Sequence, residues 1–187
     1  MGDLLVGVIS DTHGLLRPQA VAALRGSDLI IHAGDVGDPA IIDALRAIAP
    51  TFPVRGNVDT GSWATALPAT AAVEVGALTF YVLHDIAELV VDPASAGFAA
   101  VVFGHSHKPL IETREGTLYL NPGSAGPRRF ALPVSLARVR VALGLIESPP
   151  EGTRRRLAVA PMTNPSGWTP NDRPNQSPGQ CVRRGCG

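Results

Sequence analysis

The chain has 187 residues, 45% hydrophobic and 17% charged, which is enough apolar length for a sizeable core and suits one domain rather than two. A formal net charge of zero gives no footing for a stable nucleic-acid partner, and no apolar run reaches the roughly 18 residues of a membrane span. No basic region leads into a hydrophobic signal segment, and the two cysteines, Cys181 and Cys186, lie in the last seven residues, so the expectation is a cytoplasmic protein without a disulfide framework in its core.

In chain order, Leu4 to Ile9 reads as a short buried strand that runs into Ser10-Asp11-Thr12-His13. Pro18 to Arg25 has helical spacing, Asp28 to His32 is again strand-like and ends at Gly34-Asp35, and Pro39 to Ile48 predicts a helix with Asp38 as N-cap. Thr51 to Arg55 makes a third strand, ending at Gly56-Asn57. This alternation implies parallel pairing through right-handed crossovers, with helices covering both faces of the sheet and the loops at the strands' carboxyl ends facing one edge.

From Ala71 the pattern changes to hairpins. Ala71 to Val75 and Leu78 to Leu83 flank Gly76-Ala77, and the second run ends at His84. Val101-Val102-Phe103-Gly104 leads into His105-Ser106-His107; Leu110 to Thr113 and Leu118 to Leu120 flank Glu115-Gly116. Pro133 to Val141 and Leu143 to Glu147 suggest a last hairpin around Gly144. The expected architecture is α/β: two sheets packed face to face as a sandwich with helices outside, four layers α/β/β/α, forming one domain over residues 1–147.

Residues 148–187 differ in character. They hold seven of the 17 prolines and carry six arginines against two acids, whereas residues 1–147 carry 10 Lys and Arg against 14 acids. Such a segment buries too little apolar surface to offset its ordering entropy, so Thr163 to Gly187 is expected to be disordered. Leu157 to Ala160 can add one edge strand. Arg154-Arg155-Arg156 and Arg183-Arg184 read as solvated charge, and the cysteines as unremarkable thiols.

Four of the five histidines therefore sit where apolar runs end, beside oxygen donors from Asp11, Asp35 and Asn57. Imidazoles and hard oxygens gathered at strand ends are what a site for two divalent transition metals needs. A carboxylate at Asp35 can bridge two cations, while Asn57 ligates through its carbonyl oxygen without adding charge. Taken singly, His84 reads as a strand-end histidine and Asp-Thr-His as a cap or turn; their occurrence together and in order argues for the site. His32 fits packing or hydrogen bonding behind the Asp35 loop.

The ordered segments Ser10-Asp11-Thr12-His13, Gly34-Asp35, Arg55-Gly56-Asn57-Val58-Asp59, Leu83-His84, Gly104-His105-Ser106-His107 and Asn121-Pro122-Gly123-Ser124 resemble the calcineurin-like metallophosphoesterases, and within them the small phosphodiesterases of the YfcE type. The resemblance spans residues 4 to about 147. It implies that Asp11, His13 and His107 hold one metal, that Asn57, His84 and His105 hold the other, and that Asp35 serves both. It implies Mn²⁺ as the ion, with Ni²⁺, Co²⁺, Fe or Zn²⁺ as alternatives, and hydrolysis of a small phosphodiester by a hydroxide activated between the two ions. Asn57, Asp59 and His84 are the expected catalytic residues. A homodimer or homotetramer is left open.

Two departures from the family pattern stand out. Val58 replaces the histidine that often follows the asparagine and can protonate a leaving group, which favours activated esters over alkyl phosphomonoesters. Asp59 can supply that acid if its pKa is raised, or hold a ligand histidine in its tautomer, the favoured role. Asp85 and Ile86 follow His84 where glycine is usual. Asn121, Gly123 and Ser124 read as turn chemistry, and Arg55 can equally meet a substrate phosphate or pair with an acid. The competing reading is an interaction scaffold with little or no turnover, like the retromer subunit Vps29, from which the retained Asp35 and Asn57 argue away.

Overall fold

The computed structural model describes residues 2–129, 131–142, 145–146 and the backbone of 158–161. Strand β1 (Leu4–Ile9) is followed by α1 (Pro18–Leu24), β2 (Leu29–His32), α2 (Pro39–Arg46) and β3 (Thr51–Pro53). β1, β2 and β3 pair in parallel as predicted, with Ile9 opposite His32 and His32 opposite Pro53. Helix α2 starts where its sequence dictates: Asp38 accepts from the Ala40 N–H at 2.8 Å, and Pro39 fills the first turn. Gly7 lets α1 lie directly on β1, since a Cβ there would press into the Leu24 side chain and the Ser27 hydroxyl.

The second sheet contains β4 (Thr70–Val75), β5 (Leu78–Leu83), β6 (Ala100–Val102), β7 (Leu110–Arg114) and β8 (Thr117–Asn121), in the order β4-β5-β6-β8-β7. β4 with β5 and β7 with β8 are the predicted hairpins, whereas β5, β6 and β8 run parallel to one another. β9 (Ser135–Ala142) returns to the first sheet antiparallel to β1 and pairs with β10 (Leu145–Ile146) and β11 (Ala158–Pro161). The edge strand anticipated near 157–160 is therefore present. Leu143, Gly144, the arginine clusters and the cysteines lie outside the described residues.

The two sheets close on a core that includes Val6, Val8, Ile31, Phe80, Val82, Val102, Leu120 and Val139, all fully or nearly fully buried. Both α-helices pack on the outer face of the first sheet, where Leu24, Ile41, Ile42 and Leu45 meet Ile9, Ile30 and Leu136. Helices do not cover both faces of that sheet, because its other face is committed to the second sheet. The outermost layer beyond the second sheet is a 3-10 turn, Ile86–Glu88, whose Ile86 and the following Leu89 pack on Val101, Phe103 and Tyr119. No helix among the described residues is long and apolar enough to cross a membrane.

Candidate metal centre

Because β1, β2 and β3 are parallel, as are β5 and β6, their carboxyl ends meet at one rim of the sandwich, and every predicted ligand stands there. The rim is drawn tight by short backbone bonds: Asp11 N–H donates to Gly34 O at 3.0 Å, His13 N–H to Asp35 O at 2.9 Å and Gly104 N–H to His84 O at 2.9 Å. Three glycines permit this approach. A Cβ on Gly34 would strike the His84 ring, one on Gly56 the Asp35 backbone and carboxylate, and one on Gly104 the Ser10 hydroxyl and the Asp11 carboxylate.

Five of the seven predicted ligands, Asp11, His13, Asp35, His105 and His107, have positive φ between 46° and 66°. L residues rarely adopt this left-handed region, and each such residue costs roughly 1–3 kcal/mol, a strain found where surrounding structure imposes it for a function. Asp11 and His13 converge through this twist. Strand alternation, which would put residues two apart on one face, is not what brings them together.

The ligand atoms fall into two sets. In the first, Asp11 Oδ1 lies 3.3 Å from His107 Nε2 and 3.9 Å from His13 Nε2, while the two Nε2 atoms are 3.2 Å apart. In the second, Asn57 Oδ1 lies 3.0 Å from His84 Nε2 and 3.2 Å from His105 Nδ1. Asp35 reaches both: its Oδ1 is 3.3 Å from His84 Nε2 and its Oδ2 is 3.7 Å from His13 Nε2. His84 Nδ1–H donates to Ala33 O at 2.8 Å, which turns Nε2 into the site beside Asp35.

The donor set suits cations. Asp11 is fully buried, and neither carboxylate oxygen has a hydrogen-bond partner among the described residues, an expensive arrangement unless a positive charge is held there. Burial pushes the Asp11 carboxyl up to about 6, with the Ser10 hydroxyl nearby limiting the rise. Burial also pushes Asp35 up, but hydrogen bonds from His84 and the Val58 N–H, with the neighbouring imidazoles, outweigh it and leave that carboxyl below its ordinary value. Burial and the adjacent His13 bring His107 down to about 4, and burial lowers His13 as well, so both rings are neutral donors at pH 7. Asp11, His13 and His107 form one group able to hold an ion, and Asp11, Asp35 and His84 another.

Several other residues take definite places. Asp59 is buried; its Oδ1 accepts from Gly37 N–H and its Oδ2 from Gly56 N–H, both at 2.8 Å, so it clamps the Asp35 and Asn57 loops together where contact with a ligand histidine was expected. Val58 is 39% exposed at the mouth. His32 Nε2 meets the Thr12 hydroxyl at 2.9 Å, Thr12 in turn donates to Val36 O, and burial takes this imidazole down to about 4, so it supports the Asp11–His13 turn as a neutral ring. Asn121 donates to Gly104 O at 2.6 Å and to Ser106 Oγ at 3.2 Å, shaping the His105 loop, and Ser124 Oγ donates to Asp11 O at 2.9 Å. Arg55 is exposed.

Sequence reasoning passed over Arg129. Its charge reaches His13 and His107 and helps keep both rings neutral. Its loop is tied to the site by Gly126 N–H donating to Asp11 O. A cation five residues after Ser124 was the available signal, and spacing alone does not show which way that loop turns.

Comparison with known proteins bears on the family and the fold. A protein of Methanocaldococcus jannaschii named as a probable metallophosphoesterase is 36% identical over 136 residues, 66% of this chain and 69% of its own length. In fold the chain is similar to Vps29 from Cryptosporidium parvum, with a TM-score of 0.65 and 20% identity over 75% of this chain and 86% of that one. It is also similar to Yfce, a phosphoesterase from E. coli, with a TM-score of 0.57 and 21% identity over 78% and 97% of the two chains. Residues 4–143 match the calcineurin-like phosphoesterase superfamily domain, and the chain belongs to that superfamily.

Proposed function

We propose that this metallophosphoesterase hydrolyses phosphodiesters with two divalent ions, Mn²⁺ first among them, acting on a small substrate in the cytoplasm and not on a stably bound nucleic acid. The observation that carries the reading is Asp35, whose two carboxylate oxygens turn to different histidines, His84 on one side and His13 on the other. Asp11, His13 and His107 would hold one ion with Asp35; Asn57, His84 and His105 would hold the second with the same carboxylate. Two such ions supply Lewis acidity toward phosphoryl oxygens and a nucleophile at neutral pH.

The chain's own residues orient these groups. Ala33 O fixes the His84 tautomer, Asp59 clamps the loops that carry Asp35 and Asn57, and the neutral Asn57 amide adds a donor without adding negative charge. Water adds at phosphorus, the P–O ester bond breaks, and the departing oxygen takes its proton from solvent, because Val58 has none to give and Asp59 is held by two backbone amides. Activated diesters are the favoured class.

The likeness of fold to Vps29 favours a second reading, an interaction scaffold with little or no turnover. Purified protein loaded with Mn²⁺ and offered bis(p-nitrophenyl) phosphate and p-nitrophenyl phosphate separates the two. The enzyme reading expects diester turnover exceeding monoester turnover, and its loss by at least about 10²-fold in Asp35→Asn, as expected when a metal-activated nucleophile is lost. Two bound ions without turnover on any ester would support the scaffold.

A further inference from the structure

We propose that Asn121 is a positioning residue that sets the two metal sites relative to each other by clamping the turn that carries His105 and His107; this rests on the dinuclear reading above, in which those two imidazoles serve different ions. β6 pairs with β8 as far as Val102 opposite Leu120, and Phe103 N–H then donates to Leu120 O at 3.0 Å. Beyond Phe103 the chain leaves the sheet for the rim, while Asn121, the last residue of β8, stays fully buried. Ser106 N–H donates back to Gly104 O at 2.7 Å, closing a three-residue turn on His105, whose φ is 66°, and His107 follows with φ 58°. A turn of this kind with positive φ at its centre is rare and strained, so it persists where the surrounding structure holds it.

Asn121 holds it. Its Nδ2 donates to Gly104 O at 2.6 Å and to Ser106 Oγ at 3.2 Å, while its Oδ1 accepts from Gly123 N–H at 2.9 Å. A carbonyl only accepts and a backbone N–H only donates, so the partners at both ends fix which way the amide faces. The Gly104 peptide is tied on its other side by its N–H to His84 O at 2.9 Å, and Ser106 Oγ also accepts from Lys108 N–H at 3.3 Å, just past His107. One buried side chain therefore grips the chain immediately before His105 and again between His105 and His107. His105 Nδ1 lies 3.2 Å from Asn57 Oδ1, whereas His107 Nε2 lies 3.3 Å from Asp11 Oδ1, so relaxing the turn displaces a donor in each set at once.

Three substitutions test this. Asn121→Asp keeps the shape and the acceptor for Gly123 N–H, but a carboxylate cannot donate to Gly104 O or Ser106 Oγ. Ser106→Ala, at an exposed position, removes one of the two acceptors and leaves the Gly104 bond intact. His105→Gln removes a single imidazole and serves as the one-ion reference. Calorimetric titration with Mn²⁺ reads the affinity of each ion, EPR of the loaded protein reads the exchange coupling between them, and a melt in EDTA reads the fold alone.

The expected result is that Asn121→Asp weakens both ions, by up to about 100-fold each, and alters their coupling at saturating Mn²⁺, while Ser106→Ala weakens both by roughly 10-fold, the usual range for loss of a partner behind the ligands. His105→Gln should weaken one ion only. A lower melting temperature of Asn121→Asp in EDTA, with affinities and coupling as in the wild type, would overturn the proposal by reducing Asn121 to a structural residue, as would a loss confined to one ion. Should Asn121→Asp fail to fold, Ser106→Ala decides: unaltered affinity for both ions overturns the role of Asn121 and leaves the dinuclear centre standing. Wild-type protein that takes up no second Mn²⁺ would overturn both.

Discussion

At Asp11, folding and chemistry pull against each other. The carboxylate is fully buried without a hydrogen-bond partner among the described residues, and its backbone is left-handed, so the chain bears both a desolvation cost and a conformational one to place two oxygens beside His13 and His107. The folded protein holds this carboxyl at about 6 against an ordinary 3.8. The unfolded chain therefore releases the proton first as pH rises. Below about 4 both states are protonated and there is no penalty; the penalty grows through pH 6 and levels at roughly 3 kcal/mol above it. Asp11→Asn, compared with wild type in EDTA by chemical denaturation, should be of similar stability at pH 4 and more stable by up to that amount at pH 8, with the first metal lost. A stability difference that does not change between pH 4 and pH 8 would show that the carboxylate is already compensated within the protein.

The Asp35 and Asn57 loops, set side by side at the ends of β2 and β3, are held by one side chain: each oxygen of Asp59 accepts one backbone N–H, from Gly37 and from Gly56. Hydrogen bonds to a buried charge contribute about 1.5–3 kcal/mol each, so Asp59→Ala should cost roughly 3 kcal/mol or more in a urea melt and loosen both ions. Were Asp59 the proton donor, the melt would be nearly unchanged and only the pH profile of turnover would move. The elements themselves were legible because periodicity reports burial: the β1 run, the Asp38-Pro39 helix start and the Gly76-Ala77 and Glu115-Gly116 turns all stand where the sequence places them. What each rim side chain touches was not legible. Asp59 and Arg129 take their roles from the direction of loops in turn conformations, and direction there depends on tertiary contacts that no spacing encodes.

Across the whole molecule, the candidate metal centre lies on the seam between the sheets. Asp11, His13, Asp35 and Asn57 follow strands of the first sheet; His84, His105 and His107 follow strands of the second. Beneath them the sheets are joined by apolar contact, with Phe80 and Val82 of one against Val8 and Ile31 of the other. At the rim itself, His84 Nδ1–H reaches Ala33 O across the same seam. Ions shared by both sheets would add to that junction by mass action, because unfolding scatters ligands drawn from seven positions between residues 11 and 107. At a free concentration a hundredfold above each dissociation constant, one ion contributes about 2.7 kcal/mol and two contribute about 5. For a chain of this size that corresponds to a rise of roughly 10–20 °C in Tm between EDTA and saturating Mn²⁺. Asp35→Asn, which weakens the ligand assigned to both ions in the proposed site, should lose most of that rise while keeping its Tm in EDTA close to wild type. A full metal-dependent rise in that variant would mean that the ions bind elsewhere, and that the seam is held by its apolar core alone.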